Sequence, residues 1–394
     1  MVGTAHLRHD LTIRTVGLVA EASVKPSVGV VVMSYGTPAG PEDVEAYYTH
    51  VRRGRPPTPE LLADLVRRYE AIGGVSPLAG RTRAQASVLA AALERRAPGR
   101  FVVEVGYKHA SPFLEEAVEA LVGGGAERLV ALVLAPHYSL GSVGEYLARV
   151  RSRAGELAPE LPVAAVDDWH LEPTYLAFLA AEVGRCLAEL PEATKVLFSA
   201  HSLPERVVAG GDPYAGQVRE TGAAVAVELG LSPWADWAVA WQSAGRTPEP
   251  WIGPDILTVF DDLAATGRAE GVLVCPCGFV SDHLEVLYDL DVEARDRAAA
   301  LGLAFARTAV LNDDPGSSAR WPSGWRRSGP PDAGEQGAQP GAPPRASSAM
   351  TSGRSVIDRA RSSRPARSSG ASPKDPAGMV MASLAELTTS ARRR

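Results

Sequence analysis

Apolar and β-branched residues fall in short runs along this chain, and longer amphipathic stretches separate them at regular intervals. Residues 27–33 (SVGVVVM) are the first such run, and its unbroken apolar centre predicts a strand buried on both faces. It ends at the turn Ser34-Tyr35-Gly36-Thr37-Pro38. Helices are expected over 41–51, over 59–72 with Thr58 as cap and Glu60 in the first turn, and over 81–95. From there strands and helices alternate. Strands are predicted at 101–105, 128–134, 163–166, 195–199, 237–242, 271–274 and 304–310. Helices are predicted at 112–122, 142–156, 173–190, 214–229 and 255–267. Such alternation gives an α/β fold with parallel sheets covered by helices on both faces. The plan runs twice, so two similar units are expected, 26–185 and 186–315, with the ligand crevice between them at the carboxyl ends of strands.

One stretch stands out. After the strand at 271–274 the chain turns at Pro276 and Gly278 and is expected to enter an α-helix capped by Ser281 or Asp282. On it Glu285, Asp289 and Glu293 are spaced four apart and share one face. A row of like charges repels unless cations or protons relieve it. At a strand's carboxyl end the row reads as a path for a metal or protons, against the plainer reading of a solvated acidic face. His201 is the second candidate, in a turn directly after the strand at 195–199. Imidazole and carboxylate together suit a divalent metal such as iron, and also accept protons near neutral pH. Tyr35 follows the first strand and faces the same crevice from the other side. It reads as an amphipathic wall residue or as an axial ligand to iron in a macrocycle. His109 and His137 also follow strands, with no partner visible in sequence, and read as structural or supporting groups.

Composition narrows the class. The chain has 394 residues, 45% of them hydrophobic, enough for two cores. No run of about 18 apolar residues predicts a membrane span. Arg8, His9, Asp10 and Arg14 interrupt any secretory signal, so residues 1–25 read as a loose extension of a cytoplasmic protein. Cys186, Cys275 and Cys277 are too few and too irregular for a disulfide framework, and Cys275 and Cys277 read as packing residues. The net charge of −6 is unevenly shared. Residues 316–394 hold twelve Arg and one Lys against five acids, a net +8, which leaves −14 on the rest. An acidic body argues against nucleic acid as partner. The tail is rich in Gly, Ser, Pro and Arg and is expected to be disordered, with a marginal helix at 379–387. No phosphate-binding loop or dinucleotide fingerprint is present, so ATP- or NAD-driven chemistry has no support.

Five blocks then stand in order: MSYGTP at 33–38, YEAIGGVSPL at 69–78, SAHSLP at 199–204, Gln242 with PEPW at 248–251, and GFVSDHLE at 278–285. Together they resemble the ferrochelatase family, and YYTH with RRGR between Tyr47 and Arg55 is similar to its Gram-positive coproporphyrin III branch. The resemblance covers about residues 26–315. It implies a chelatase fold of two Rossmann-like domains. It implies insertion of ferrous iron into coproporphyrin III without ATP, with iron as substrate and no permanently bound cofactor. It also leaves room for transient contact with neighbouring haem-pathway enzymes. It assigns iron and pyrrole protons to His201 and Glu285, and product iron to Tyr35. Porphyrin contacts fall on Arg52, Arg68, Tyr69, Ser76 and Tyr146, and a metal conduit on Asp289 and Glu293. The implied chemistry is consistent with these residue types: a bent ring exposes its nitrogen lone pairs, a base removes two N–H protons, and Arg and hydroxyl donors hold the propionates. The alternatives are a protoporphyrin IX ferrochelatase, a cobalt or nickel chelatase, and a tetrapyrrole carrier that inserts no metal. Two departures stand out. With three cysteines and none after Cys277, no [2Fe–2S] cluster is expected. After Pro315 the family's final helix gives way to the low-complexity tail, which reads as a frameshifted or replaced terminus.

Overall fold

Every residue of β1 (Val28–Ser34) is buried, as its run of valines demands. The computed structural model describes residues 27–313, so the expected N-terminal extension and the tail at 316–394 lie outside the described residues. After β1, a single 3₁₀ turn (Pro41–Asp43) leads into α1 (Val44–Val51), followed by α2 (Pro59–Ala71) and α3 (Leu78–Arg96). Thr58 caps α2 as expected, its hydroxyl accepting from the Leu61 N–H. The alternation follows: β2 (Phe101–Tyr107), α4 (Leu114–Gly123), β3 (Leu129–Val133), a π-helical turn (Leu140–Gly144), α5 (Glu145–Leu157), β4 (Val163–Val166) and α6 (Pro173–Leu187). The second half comprises β5 (Thr194–His201), α7 (Glu205–Ala209), α8 (Tyr214–Leu229), β6 (Trp237–Gln242), α9 (Ile256–Thr266), β7 (Gly271–Cys275), a π-helix (Val286–Ala294), α10 (Arg295–Ala300) and β8 (Ala304–Arg307).

These strands form two four-stranded sheets, ordered β2-β1-β3-β4 and β6-β5-β7-β8. All the pairings are parallel, and the second order is the first repeated four strands later. Three apolar cores hold them. One lies under α4 and α5 of the first half and one under α9 and the π-helix of the second. The largest joins both sheets, from Val30 and Val130 through Phe178 and Val183 to Phe198 and Leu273. No described helix is long and apolar enough to cross a membrane.

Two expectations need correction. His201 is not in a turn; β5 continues through it because residues 199–201 pair with 240–242 of β6. The acidic segment is not a regular α-helix. Residues 281–283 are irregular, and the π-helix spans nine residues before α10 resumes α geometry. Its turns are held from outside. Arg68 of α2 reaches Asp289, and Arg307 of β8 grips Asp291. Contacts of this kind join residues on separate elements and leave no periodic signature in the sequence.

Candidate active site

A cleft of about 510 Å³ opens at the carboxyl ends of β1, β2, β3, β5 and β7. Tyr35 and Lys108 line it from the first half, and His201, Gly278, His283 and Glu285 from the second. His201 is carried in by β5. Its Nδ1 hydrogen donates to the Ser202 carbonyl, which fixes the tautomer and leaves Nε2 facing the cleft. Ser202 is held in turn, its hydroxyl donating to the Ile252 carbonyl at 2.8 Å. His283 repeats the device, with Nδ1 donating to the Ser281 carbonyl at 3.0 Å. The two Nε2 atoms flank one carboxylate: His201 lies 3.7 Å from Glu285 Oε1 and His283 lies 3.6 Å from Oε2.

That arrangement has a chemical consequence. Two imidazole lone pairs aimed at a carboxylate are stable only with positive charge between them, a proton or a metal cation. Burial alone raises the Glu285 carboxyl, but His201, His283 and Arg68 outweigh it and hold it at about 2. About 37% of the Glu285 side chain nevertheless faces open space, so the group is deep in the fold yet accessible from the cleft. Opposite stands Tyr35, 43% exposed, with its ring 4.5 Å from that of His109. Its phenol is pushed up, first by the surrounding protein and then by the charges of Glu285 and Glu145.

Close approach of backbone to backbone brings the two halves of this group together. Gly278 donates its N–H to the Ser199 carbonyl at 3.0 Å. A Cβ at Gly278 would lie 2.5 Å from the Ala200 Cβ, beside His201, so only glycine fits.

Residues 27–319 match the sequence profile of the ferrochelatase family. The chain belongs to the ferrochelatase family. It is 44% identical over 297 residues to the coproporphyrin III ferrochelatase of Anoxybacillus flavithermus, covering 74% of this chain and 93% of that one. It is 42% identical over 294 residues to the coproporphyrin III ferrochelatase of Halalkalibacterium halodurans, covering 74% and 94%. Among solved structures, SirB from Bacillus subtilis with Fe3+ aligns at a TM-score of 0.45 and 14% identity, over 75% of this chain and 92% of that one.

Seen as a ferrochelatase site, the residues singled out from sequence divide into two groups. Tyr35, Tyr69, Ser76, Tyr146, His201 and Glu285 all line the cleft. Tyr69 is buried and shares a hydrogen bond with Thr37 at 3.3 Å. Ser76 accepts from the Leu78 N–H at 3.3 Å and so starts α3. Arg52, Arg68, Asp289 and Glu293 are not among the lining residues. Arg52 closes α1, lies over the Tyr48 ring and donates to the Arg55 carbonyl at 3.2 Å. Arg68 is paired with Asp64 at 3.3 Å and Asp289 at 3.4 Å, with its guanidinium 4.9 Å from the centre of the Tyr288 ring. Asp289 also accepts from the Ser243 hydroxyl. Its charge is close enough to those of Glu285 and Glu293 to be disfavoured by both.

Sequence reasoning missed Lys108 and gave His283 no role. Lys108 directly follows β2 as Tyr35 directly follows β1, so the strand-end rule alone was enough to find it. It is 6% exposed, pairs with Glu145 at 2.8 Å and lies 5.2 Å from the centre of the Tyr146 ring. His283 stood inside a quoted block, but its partnership with Glu285 depends on an irregular backbone. His137 is buried and neutral, pushed down to about 3 by burial, with Nε2 2.9 Å from the Thr221 hydroxyl. Cys275 and Cys277 are buried thiols raised by that burial, the first to about 12, as suits packing residues. Among the described residues, no group of three or more His, Cys, Asp and Glu side chains is arranged to hold a metal ion.

Proposed function

We propose that this protein inserts ferrous iron into coproporphyrin III, without ATP, to give the iron porphyrin used in haem synthesis. The observation that carries the reading is the Glu285 carboxylate flanked by the Nε2 atoms of His201 and His283, opposite Tyr35 across the cleft. The names of the relatives above support the substrate. Iron is substrate here, not a resident cofactor. In the reaction two pyrrole N–H bonds break, two protons leave, and one Fe²⁺ takes their place. Charge balances without redox change. His201 and Glu285 accept the protons and meet the metal; Tyr35 approaches the opposite face of the ring. Tyr69, Ser76 and Tyr146 form the walls, with Arg52 outside the lining and Lys108 a cation in the lining that is shared with Glu145. Asp289 and Glu293 extend the carboxylate row away from Glu285 as a route for metal or protons. Three free thiols fit a reducing compartment such as the cytoplasm, and coproporphyrin III and iron are the partners.

Anaerobic assays with Fe²⁺ and either coproporphyrin III or protoporphyrin IX test the reading. Coproporphyrin III is expected to win by about tenfold or more in kcat/KM, the size of one charge-assisted hydrogen bond. Preference for protoporphyrin IX would overturn the substrate. Binding of porphyrin with no insertion would make the protein a carrier.

Gly278→Ala tests the geometry. The new methyl must push Ala200 away, at a cost of about 1–3 kcal/mol. A shift of about 1 Å at His201 is expected to slow insertion by up to about 10²-fold. Thermal melts and single-turnover rates on the variant would check both numbers.

A further inference from the structure

The segment from Pro276 to His283 lies between β7 and the helical start at Leu284, without regular structure of its own. Gly278 anchors its start on β5 through the Ser199 carbonyl; the stretch beyond, which delivers His283 and leads to Glu285, needs other support. The last described residues hold it. Asn312 donates its backbone N–H to the Val280 carbonyl at 2.9 Å. Its side-chain Oδ1 accepts from the Asp282 N–H at 2.8 Å, and its Nδ2 donates to Asp282 Oδ2 at 2.6 Å. The other Asp282 oxygen takes Arg307 at 3.1 Å. That guanidinium also grips Asp291, inside the π-helix, with two bonds of 2.7 Å.

The first half closes the frame. Gln85, fully buried on α3, donates to the carbonyls of Val280 and Asn312, each at 3.0 Å, and accepts from the Ser281 hydroxyl at 3.0 Å. Asn312 has a φ of +46°, a left-handed geometry that asparagine tolerates better than most residues.

We propose that Asn312 is a positioning residue for iron insertion. Its side-chain amide locks Asp282, three residues before Glu285, and Gln85 ties Asn312 and the neighbouring Val280 and Ser281 to the first half. The proposal rests on the reading of His201 and Glu285 as the pair that handles metal and protons. Asn312 is not among the residues that line the cleft; it acts by fixing where Glu285 stands.

The test uses Asn312→Gly and Asn312→Asp in the full chain. Glycine adopts positive φ freely, so that variant removes the amide without adding backbone strain. Aspartate keeps the acceptor for the Asp282 N–H but sets a second carboxylate against Asp282. Both variants are expected to lose about tenfold or more in kcat, with the KM for porphyrin within about twofold of wild type. Amide hydrogen exchange in the Asn312→Gly protein is expected to rise over residues 280–285, with protection of β1 and β5 unchanged. Unaltered exchange over 280–285, unaltered kcat, or a loss spread equally over both sheets and the porphyrin KM would each overturn the proposal. Wild type measured in parallel separates the two readings. If it inserts no iron, the functional reading fails, and exchange alone then decides whether Asn312 holds the segment.

Discussion

His201→Ala is expected to slow iron insertion by about 10²–10⁴-fold while porphyrin binding survives, the range expected for loss of a positioned base. The imidazole is pre-set: Nδ1 is committed to the Ser202 carbonyl, so Nε2 is the nitrogen turned toward Glu285 and the cleft. Glu285→Gln should cost a comparable factor for a different reason. It keeps the shape but removes the negative charge that draws a cation or proton to both imidazoles, 3.7 and 3.6 Å away. Because the two groups act on the same protons, the double variant should be little worse than either single one. Anaerobic stopped-flow following the porphyrin absorption bands, with fluorescence quenching for porphyrin affinity, reads both quantities. Rates equal to wild type in either variant would remove that residue from the chemistry.

Asp289→Asn is expected to stabilise the fold above neutral pH by on the order of 2–4 kcal/mol. The Asp289 carboxyl is raised from 3.8 to about 7, first by burial and then by Glu285, with Ser243 and Arg68 opposing. Arg68 stands 3.4 Å away, and a contact that long on a partly exposed side chain does not offset the burial. Between those two pH values the native chain holds a proton that the unfolded chain has released. Stability from this group is therefore whole below about pH 4 and is lost as pH rises through 7. Asparagine cannot ionise, and Arg68 keeps Asp64 as its partner. Urea melts at pH 4, 6 and 8 should show the two proteins diverging as pH rises. Equal stability at pH 8 would show that Asp289 is not the strained group it is taken to be here.

Strands were the most legible part of this chain. A buried parallel strand needs little more than an apolar run, and β1, β4 and β6 fall within a residue of where their runs place them. His201, Glu285 and Tyr35 were found by one rule, that chemistry in open α/β sheets gathers at strand carboxyl ends. The same rule applied without exception would have yielded Lys108. Contacts that require three dimensions were out of reach. Arg68 looked available for a propionate in sequence, yet Asp64 and Asp289 take it. The π-helix left no mark in the sequence pattern, and the partners that grip it, Arg68 of α2 and Arg307 of β8, are far from it along the chain or on another strand. Spacing by four still put Glu285, Asp289 and Glu293 within one another's fields, although the backbone between them is not α-helical.

The apolar layer joining the two sheets sets a limit on how the molecule deforms. Phe178 and Val183 on α6 belong to the same buried cluster as Phe198 and Val30, so parting the halves would bare a face that neither covers alone. Repeated strand order suggests two separable bodies; the shared interior makes them a single cooperative unit. The strands that carry Tyr35 and His201, β1 and β5, both root in that shared interior, while α2 and the π-helix meet through Arg68.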